Sequence, residues 1–367
     1  MNAFPEMKRN LAFGLMRLPM KGEEVDYETV NAMVDAFMDA GFNYFDTAHP
    51  YLKTQSEVAV RKCIAERYDR SQFLLTDKLS PHNWQTSADI VPLLDEQLRR
   101  CGVEYFDFYL MHAMNTERHE RYMKEGAYDI AQQQKALGKI RHVGISFHDT
   151  ADVLDRILTD RPELEVVQLQ LNYADWDDPN VQARLCHEVC KKHGKPVLVM
   201  EPVKGGSLAN LPEEATALLP GGSPASYAIR FAATQEQVCM VLSGMSTMEQ
   251  MQDNLSFMKE FQPLSEEELE LLQQVKTIYQ SRNNIPCTAC KYCEERCPAG
   301  IPISTIFAQS NRLNSKKPEK NATDPKADYS ALEVQGDACV GCGLCIEACP
   351  QHLNVRELVS KSHEQLK

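Results

Sequence analysis

The chain has 367 residues, 43% hydrophobic and 25% charged, with 39 basic and 52 acidic side chains for a formal charge of −13. That apolar content fills a sizeable core and excludes whole-chain disorder, and the acidic balance argues against nucleic acid as the main partner. No apolar run approaches the roughly 20 residues of a membrane span, and MNAFPEMKRN carries no secretory pattern, so a cytoplasmic chain without a membrane partner is expected.

Eight short apolar runs follow in chain order: Leu11–Leu18, Asn43–Ala48, Phe73–Leu79, Phe106–His112, Ile140–Phe147, Val166–Tyr173, Pro196–Pro202 and Val238–Gly244. The segments Tyr27–Ala40, Gln55–Glu66, Ala88–Arg100, Val181–Lys192 and Met248–Lys259 carry apolar residues at three- and four-residue spacings, as amphipathic helices do. Apolar strands alternating with helices predict buried parallel strands, and eight such units fit a (β/α)8 TIM barrel. A doubly wound open sheet is the alternative, but no GxGxxG follows the first run.

The ends of these runs are chemically unusual. The second ends FDTAHPY, the third LLTDKL, the fourth FYLMHA and the fifth GISFHD. Asp46, Lys78, His112 and Ser146 thus close consecutive strands, at gaps of 32, 34 and 34 residues. In a barrel such positions converge on the mouth that holds catalytic groups. Arg17, in LMRLP at the end of the first run, is read as a cofactor-facing or a rim residue. His148 is read as a solvated loop residue before one that enters the mouth, and Cys186 and Cys190, four apart on a helix, as buried fillers before metal ligands. The segment Asn115–Gly126 is read as a loop over the mouth that sets substrate choice.

Eight of the 13 cysteines fall in the last 81 residues, which reads as metal ligation in a reducing compartment rather than disulfides. From Asn283 onward basic and acidic side chains balance at ten each, so the charge of −13 belongs to the first 282 residues. That break near Ser281–Asn284 predicts domains 1–281 and 282–367. The last segment holds CTACKYCEERCP (Cys287, Cys290, Cys293, Cys297) and CVGCGLCIEACP (Cys339, Cys342, Cys345, Cys349). Each is C-x2-C-x2-C-x3-C-P, the bacterial spacing for a [4Fe–4S] cluster, whose fourth Cys serves the other cluster. Two clusters are therefore expected: one on Cys287, Cys290, Cys293 and Cys349, the other on Cys339, Cys342, Cys345 and Cys297. Zinc is the rival for such pairs. Of the 41 intervening residues, Ile303–Asn314 reads as helix and SKKPEKNATDPKADY as a loop, with another helix at Val355–Gln365.

Over residues 8–262 the sequence resembles the aldo-keto reductase superfamily, on FDTAHPY, TDK, LMH, GIS, QLNY with Gln170 and Tyr173, the pair Gly205–Gly206, and SGMSTMEQMQDN. The last part resembles a helical ferredoxin module. The resemblance implies carbonyl reduction or alcohol oxidation with hydride from NAD or NADP and a proton from Tyr51. A free phenol has pKa about 10, and a neighbouring ammonium lowers it. Lys78 would supply that charge, Asp46 would orient Lys78, and His112 would polarise the carbonyl. Ser146 and Gln170 would hold the carboxamide, Gly205 and Gly206 would admit the pyrophosphate, and Ser243, Gly244, Gln250 and Asn254 would take the adenosine end. Met200 stands where an aromatic usually stacks, Phe147 follows Ser146 where Asn is common, and STMEQMQDN lacks the usual cation for a 2′-phosphate. Lys204 is the nearby candidate to replace it.

A nicotinamide gives two electrons as hydride and clusters pass one at a time, so direct exchange needs an intermediary such as a flavin, for which no motif is visible. The reading is an iron–sulfur oxidoreductase of aldo-keto reductase type acting on a small carbonyl or alcohol, its clusters structural or electron-transferring. The alternative is an electron-transfer or partner-binding subunit whose clusters exchange electrons with a redox carrier protein.

Overall fold

The computed structural model of the chain describes residues 3–282, 284–314 and 323–367. They form two compact units, one from the N-terminus to Val203 with Ala225–Leu269, the other from Lys204–Pro224 with Glu270–Lys367.

The first unit is a closed barrel of eight parallel strands: β1 (Leu11–Gly14), β2 (Tyr44–Asp46), β3 (Leu74–Leu79), β4 (Phe106–Met114), β5 (Ile140–Phe147), β6 (Val166–Gln170), β7 (Val197–Met200) and β8 (Val238–Ser243). Each strand pairs with its sequence neighbours, and β1 with β8 closes the circle. All eight predicted runs contain a strand. The first is cut short, because β1 ends at Gly14 and Leu15–Arg17 form a 3-10 turn. The outer helices include α1 (Tyr27–Asp39), α2 (Gln55–Val60), α3 (Ser87–Cys101), α4 (Ala183–Lys192) and α5 (Met248–Met258). Their starts follow capping chemistry: Asp26 accepts from Thr29 N, and Thr86 and Asp89 form a capping box that starts α3. The expected helix Gln55–Glu66 instead widens after Val60 into a π turn, Arg61–Ala65. The expected loop Asn115–Gly126 is mostly helix, Thr116–Lys124, because Asn115 caps it by accepting from Arg118 N.

Side chains alternate in and out along a strand. The inward set Ala12, Tyr44, Leu74, Phe108, Leu110, Val166, Leu198, Met240 and Leu242 packs as one cluster, with Phe4 and Met7 joining it from the N-terminal segment. The same alternation carries Asp46, Lys78, His112, Ser146 and Gln170 inward nearer the C-terminal ends of their strands. Gly144 lies two residues before Ser146, where a Cβ would stand 2.4 Å from Val166 O and 2.9 Å from Leu110 Cδ2. Only glycine fits that crowded layer.

The outward phase of β3 carries Asp77, fully buried beside Glu57 of α2. Burial pushes Glu57 up to about 8 and Asp77 well above the carboxylate range. Burial also depresses His49, whose Nδ1 lies 2.9 Å from Glu57 Oε1, so burial shifts both partners toward their neutral forms. Arg100, 3.8 Å from Glu57 Oε2, does not offset the desolvation.

The second unit is mainly helical. It contains α6 (Glu266–Gln280), whose first turn belongs to the barrel unit, then α7 (Ile303–Leu313), α8 (Pro325–Ser330) and α9 (Val355–Leu366). Ile301, Ile303, Ile306, Phe307, Tyr329, Val355, Val359 and Leu366 form its core with Cys293. The two predicted helices are present. The predicted loop is partly overturned: Asp324 accepts from Lys326 N and Pro325 sits at the first helical position, so α8 forms. Residues 315–322 of that loop, and Asn283 of the predicted boundary, lie outside the described residues.

A carboxyl whose folded pKa is raised binds its proton more tightly in the native state. Glu57 therefore stabilises the fold fully below its ordinary value of 4.5, and that contribution is lost as pH rises to about 8. The melting temperature should fall between pH 5 and about 9, and Glu57→Gln should flatten the fall. An unchanged slope in the variant would refute the assignment.

Candidate functional site

The buried ammonium of Lys78 is the centre of the barrel-mouth cluster. Lys78 is 0% exposed, and its Nζ donates to Asp46 Oδ1 at 2.7 Å, to Thr47 O at 2.7 Å and to Tyr51 Oη at 3.4 Å. Asp46 is raised by burial against the opposing pull of Lys78. Gln168 donates to its other oxygen at 3.1 Å. Lys78 Nζ also lies 4.9 Å from the Tyr51 ring centre. The loop after Tyr51 is strained: Leu52, Lys53 and Thr54 have φ of 52°, 55° and 70°. Left-handed backbone costs about 1–2 kcal/mol per non-glycine residue and persists only where surroundings impose it.

His112 completes the group, its ring 6.2 Å from that of Tyr51 and nearly perpendicular to it. Its pKa lies well below the ordinary value, first through burial and then through the charges of Lys78, His148, Arg118 and His82. The imidazole is thus neutral. Its Nδ1 lies 2.6 Å from Ser80 Oγ. A register shift between Met111 and Met114, with Ala113 at φ 54°, bends β4 immediately after His112. His148 is half-buried and close enough to act on His112, nearer to the mouth reading than to the solvated loop.

Of the residues expected to hold a dinucleotide, Ser146 Oγ accepts from Ala113 N at 2.7 Å, and Gln170 donates to Asp175 at 2.8 Å. Met200, half-buried at the end of β7, packs on the inward cluster, and Phe147 is buried. Asn254 donates to Ser243 Oγ at 2.7 Å, and Gln250 Oε1 accepts from Ser246 N. Gly244 faces Arg17, whose Cδ would lie 3.3 Å from a Cβ built there. Arg17 is therefore a cation that the fold brings to the Ser243–Asn254 segment. Lys204, Gly205 and Gly206 belong to the second unit, and Lys204 is buried. A cavity of about 660 Å³ opens at the strands' opposite ends, beside Asn10, Pro196 and Gln237, away from this chemistry.

In the second unit the thiols gather in two sets. Burial raises Cys293, and Cys290, Cys287 and Cys349 add to the shift as its neighbours. Burial raises Cys345, and the thiols that add to it are Cys339, Cys342 and Cys297. Cys297, Cys339, Cys342 and Cys345 line a cavity with apolar Ile301 and Val340. Sulfur donors around an apolar cavity suit a group bound through thiolates, and the crossing of Cys297 and Cys349 between sets is the two-cluster pattern. Among the described residues, no three His, Cys, Asp or Glu side chains close around a single ion. A four-iron cube spans more than one ion and spreads its ligands wider. Cys186 and Cys190 are buried on one face of α4.

Sequence reasoning did not single out Gln168, Ser80, Thr47 O or Asp175. Gln168 carries a visible signal, a polar residue in the otherwise apolar VVQLQ two before Gln170. Ser80 carries none, since only the barrel brings it to His112.

Residues 10–277 match the aldo/keto reductase family, and residues 286–353 match the 4Fe-4S dicluster domain. An NADPH-dependent alpha-keto amide reductase of Saccharomyces cerevisiae is 29% identical over 191 residues, covering 50% of this chain and 58% of its own. An aldo-keto reductase of Bacillus halodurans in its holo form superposes with a TM-score of 0.59 at 23% identity, over 72% of this chain and 91% of that one. One of Klebsiella pneumoniae in complex with NADPH gives a TM-score of 0.56 at 20% identity, over 74% and 90%. The two structures show the shared fold. Among the described residues, no helix is long and apolar enough to cross a membrane.

Removing one partner of a buried ion pair leaves the other charge unpaired, typically at a cost of about 3–5 kcal/mol. Lys78→Met should lower stability by about that amount in denaturant titrations. A loss below about 1 kcal/mol, the range of an exposed pair, would show that Asp46 needs no partner.

Proposed function

The chain belongs to the aldo/keto reductase family, and on that premise we propose that this oxidoreductase reduces a small carbonyl compound, or oxidises the matching alcohol, with Tyr51 as the acid. The observation that carries this is the continuous contact from Gln168 through Asp46 and Lys78 to the Tyr51 hydroxyl. The relatives' NADPH use supports a nicotinamide cofactor, which would supply the hydride when bound. Ser146, Gln170, Met200, Ser243, Gly244, Gln250 and Asn254 are the residues proposed to hold it. The carbonyl carbon takes the hydride pair, and its oxygen takes the phenolic proton to give the alcohol. Lys78 stabilises the phenolate left behind, and Asp46 keeps Lys78 charged and aimed. Ser80 donates to His112 Nδ1, which leaves Nε2 to donate to the substrate oxygen. The apolar barrel interior beneath them keeps water from that side of the reacting atoms.

The cysteine sets are proposed to hold two [4Fe–4S] clusters, Cys287, Cys290, Cys293 and Cys349 around one and Cys339, Cys342, Cys345 and Cys297 around the other. Such clusters supply one-electron transfer when bound. Reductase chemistry is assigned to residues 1–281 and cluster binding to 282–367. The barrel's intact proton-donating set favours this reading over a chain that only transfers electrons.

Tyr51→Phe should cut carbonyl turnover by at least about 100-fold, the scale of a lost general acid, while iron content stays constant. Unchanged turnover would remove Tyr51 from the mechanism. The Ser243–Asn254 segment holds no Lys or Arg, so NADH and NADPH should bind within about tenfold of each other. Markedly tighter NADPH binding, abolished by Arg17→Ala, would instead assign the 2′-phosphate to Arg17.

A further inference from the structure

Lys204, Gly205 and Gly206 form a short turn in which all three residues have left-handed backbone, with φ of 47°, 63° and 96°. The turn begins four residues after the end of β7. The two glycines are not equivalent. A Cβ built on Gly206 would meet only the tip of the Asn210 side chain, at 3.9 Å. One built on Gly205 would stand 2.5 Å from Thr288 Cα, 2.6 Å from its O and 2.8 Å from its C. Those are backbone atoms and cannot rotate aside, so the side of Gly205 on which its Cβ would stand is already filled.

Thr288 is 1% exposed and lies within Cys287-Thr288-Ala289-Cys290, the first ligand loop. Its backbone sets the spacing between the first two thiols. The turn is fixed from the other side within the same unit: Ser207 Oγ donates to Lys204 O at 2.8 Å and lies 3.0 Å from the Tyr279 hydroxyl of α6. A rigid turn thus presses a side-chain-free surface against the loop that must present two sulfurs at a fixed separation.

We infer that Gly205 is a positioning residue for the first cluster, the socket into which the Thr288 backbone seats, and not part of a phosphate cradle. This rests on the reading that Cys287, Cys290, Cys293 and Cys349 hold a cluster. A phosphate group approaching this turn meets an open face only at Gly206.

The test uses full-length protein reconstituted with iron and sulfide without oxygen. Iron per chain, the low-temperature electron paramagnetic resonance of dithionite-reduced protein and NADPH binding by fluorescence are measured for Gly205→Ala, Gly206→Ala and Cys290→Ala. Both alanines place a side chain at positive φ, and only the first meets Thr288, so Gly206→Ala controls for backbone strain. Gly205→Ala should lose up to half the iron and one of two reduced-cluster signals, with NADPH affinity changed less than twofold. Gly206→Ala should keep all its iron. The socket is overturned if Gly205→Ala retains full iron and both signals, if the two variants lose iron equally, or if Gly205→Ala is unfolded by circular dichroism. A large loss of NADPH affinity with iron intact would return Gly205 to the phosphate. Full iron in Cys290→Ala would refute the ligand reading instead, whatever the glycines show.

Discussion

A buried ammonium constrains the barrel unit more than any other single group. Lys78 has no exposure, so its charge must be met by oxygens the fold supplies. Asp46 and the Thr47 carbonyl do this from the neighbouring strand, and Tyr51 stands at the remaining side. The requirement propagates outward. Asp46 must stay ionised although burial raises its pKa, which is why both its oxygens receive hydrogen bonds. Burial and the positive charge of Lys78 in turn favour the neutral form of His112, which can donate to a developing oxyanion without repelling the ammonium.

The outward face of the same strand shows the opposite solution. Asp77 follows Thr76 and precedes Lys78, but it points into the helix layer, where Glu57 and His49 surround it with groups that burial drives neutral. One strand thus holds an ion pair on its inward face and, on its outward face, carboxyls that burial shifts toward their neutral forms. The alternation of side chains along β3 keeps the two apart.

In the second unit, five of the eight clustered cysteines touch the apolar core. Cys293 belongs to the apolar core, and Cys287, Cys297, Cys345 and Cys349 pack against it. Small cores often gain much of their stability from bound metal, so under the proposed ligand sets folding and cluster assembly would be coupled. The contact of Gly205 with Thr288 would extend that coupling to a turn 83 residues earlier in the chain. It also separates the adjacent glycines, alike in sequence, into one covered and one open face.

The sequence by itself determined the strand count, the phase that aims Asp46, Lys78 and His112 inward, and the two thiol runs. These are local properties: apolar runs, a period of two, and fixed cysteine spacings. Beyond the Asp46–Lys78 pair, it did not determine which groups complete the hydrogen bonding of the buried side chains. Gln168 reaches Asp46 across 122 residues and Ser80 reaches His112 across 32, the first through the barrel's closure and the second through the pairing of adjacent strands. Helix ends such as those around Asn115 and Asp324 were misread because a single capping side chain outweighs a polar composition. The neighbours of Gly205 and Gly206 were likewise hidden, since a glycine's use depends on what approaches the side where its Cβ would be, and only the tertiary structure brings the Thr288 backbone there.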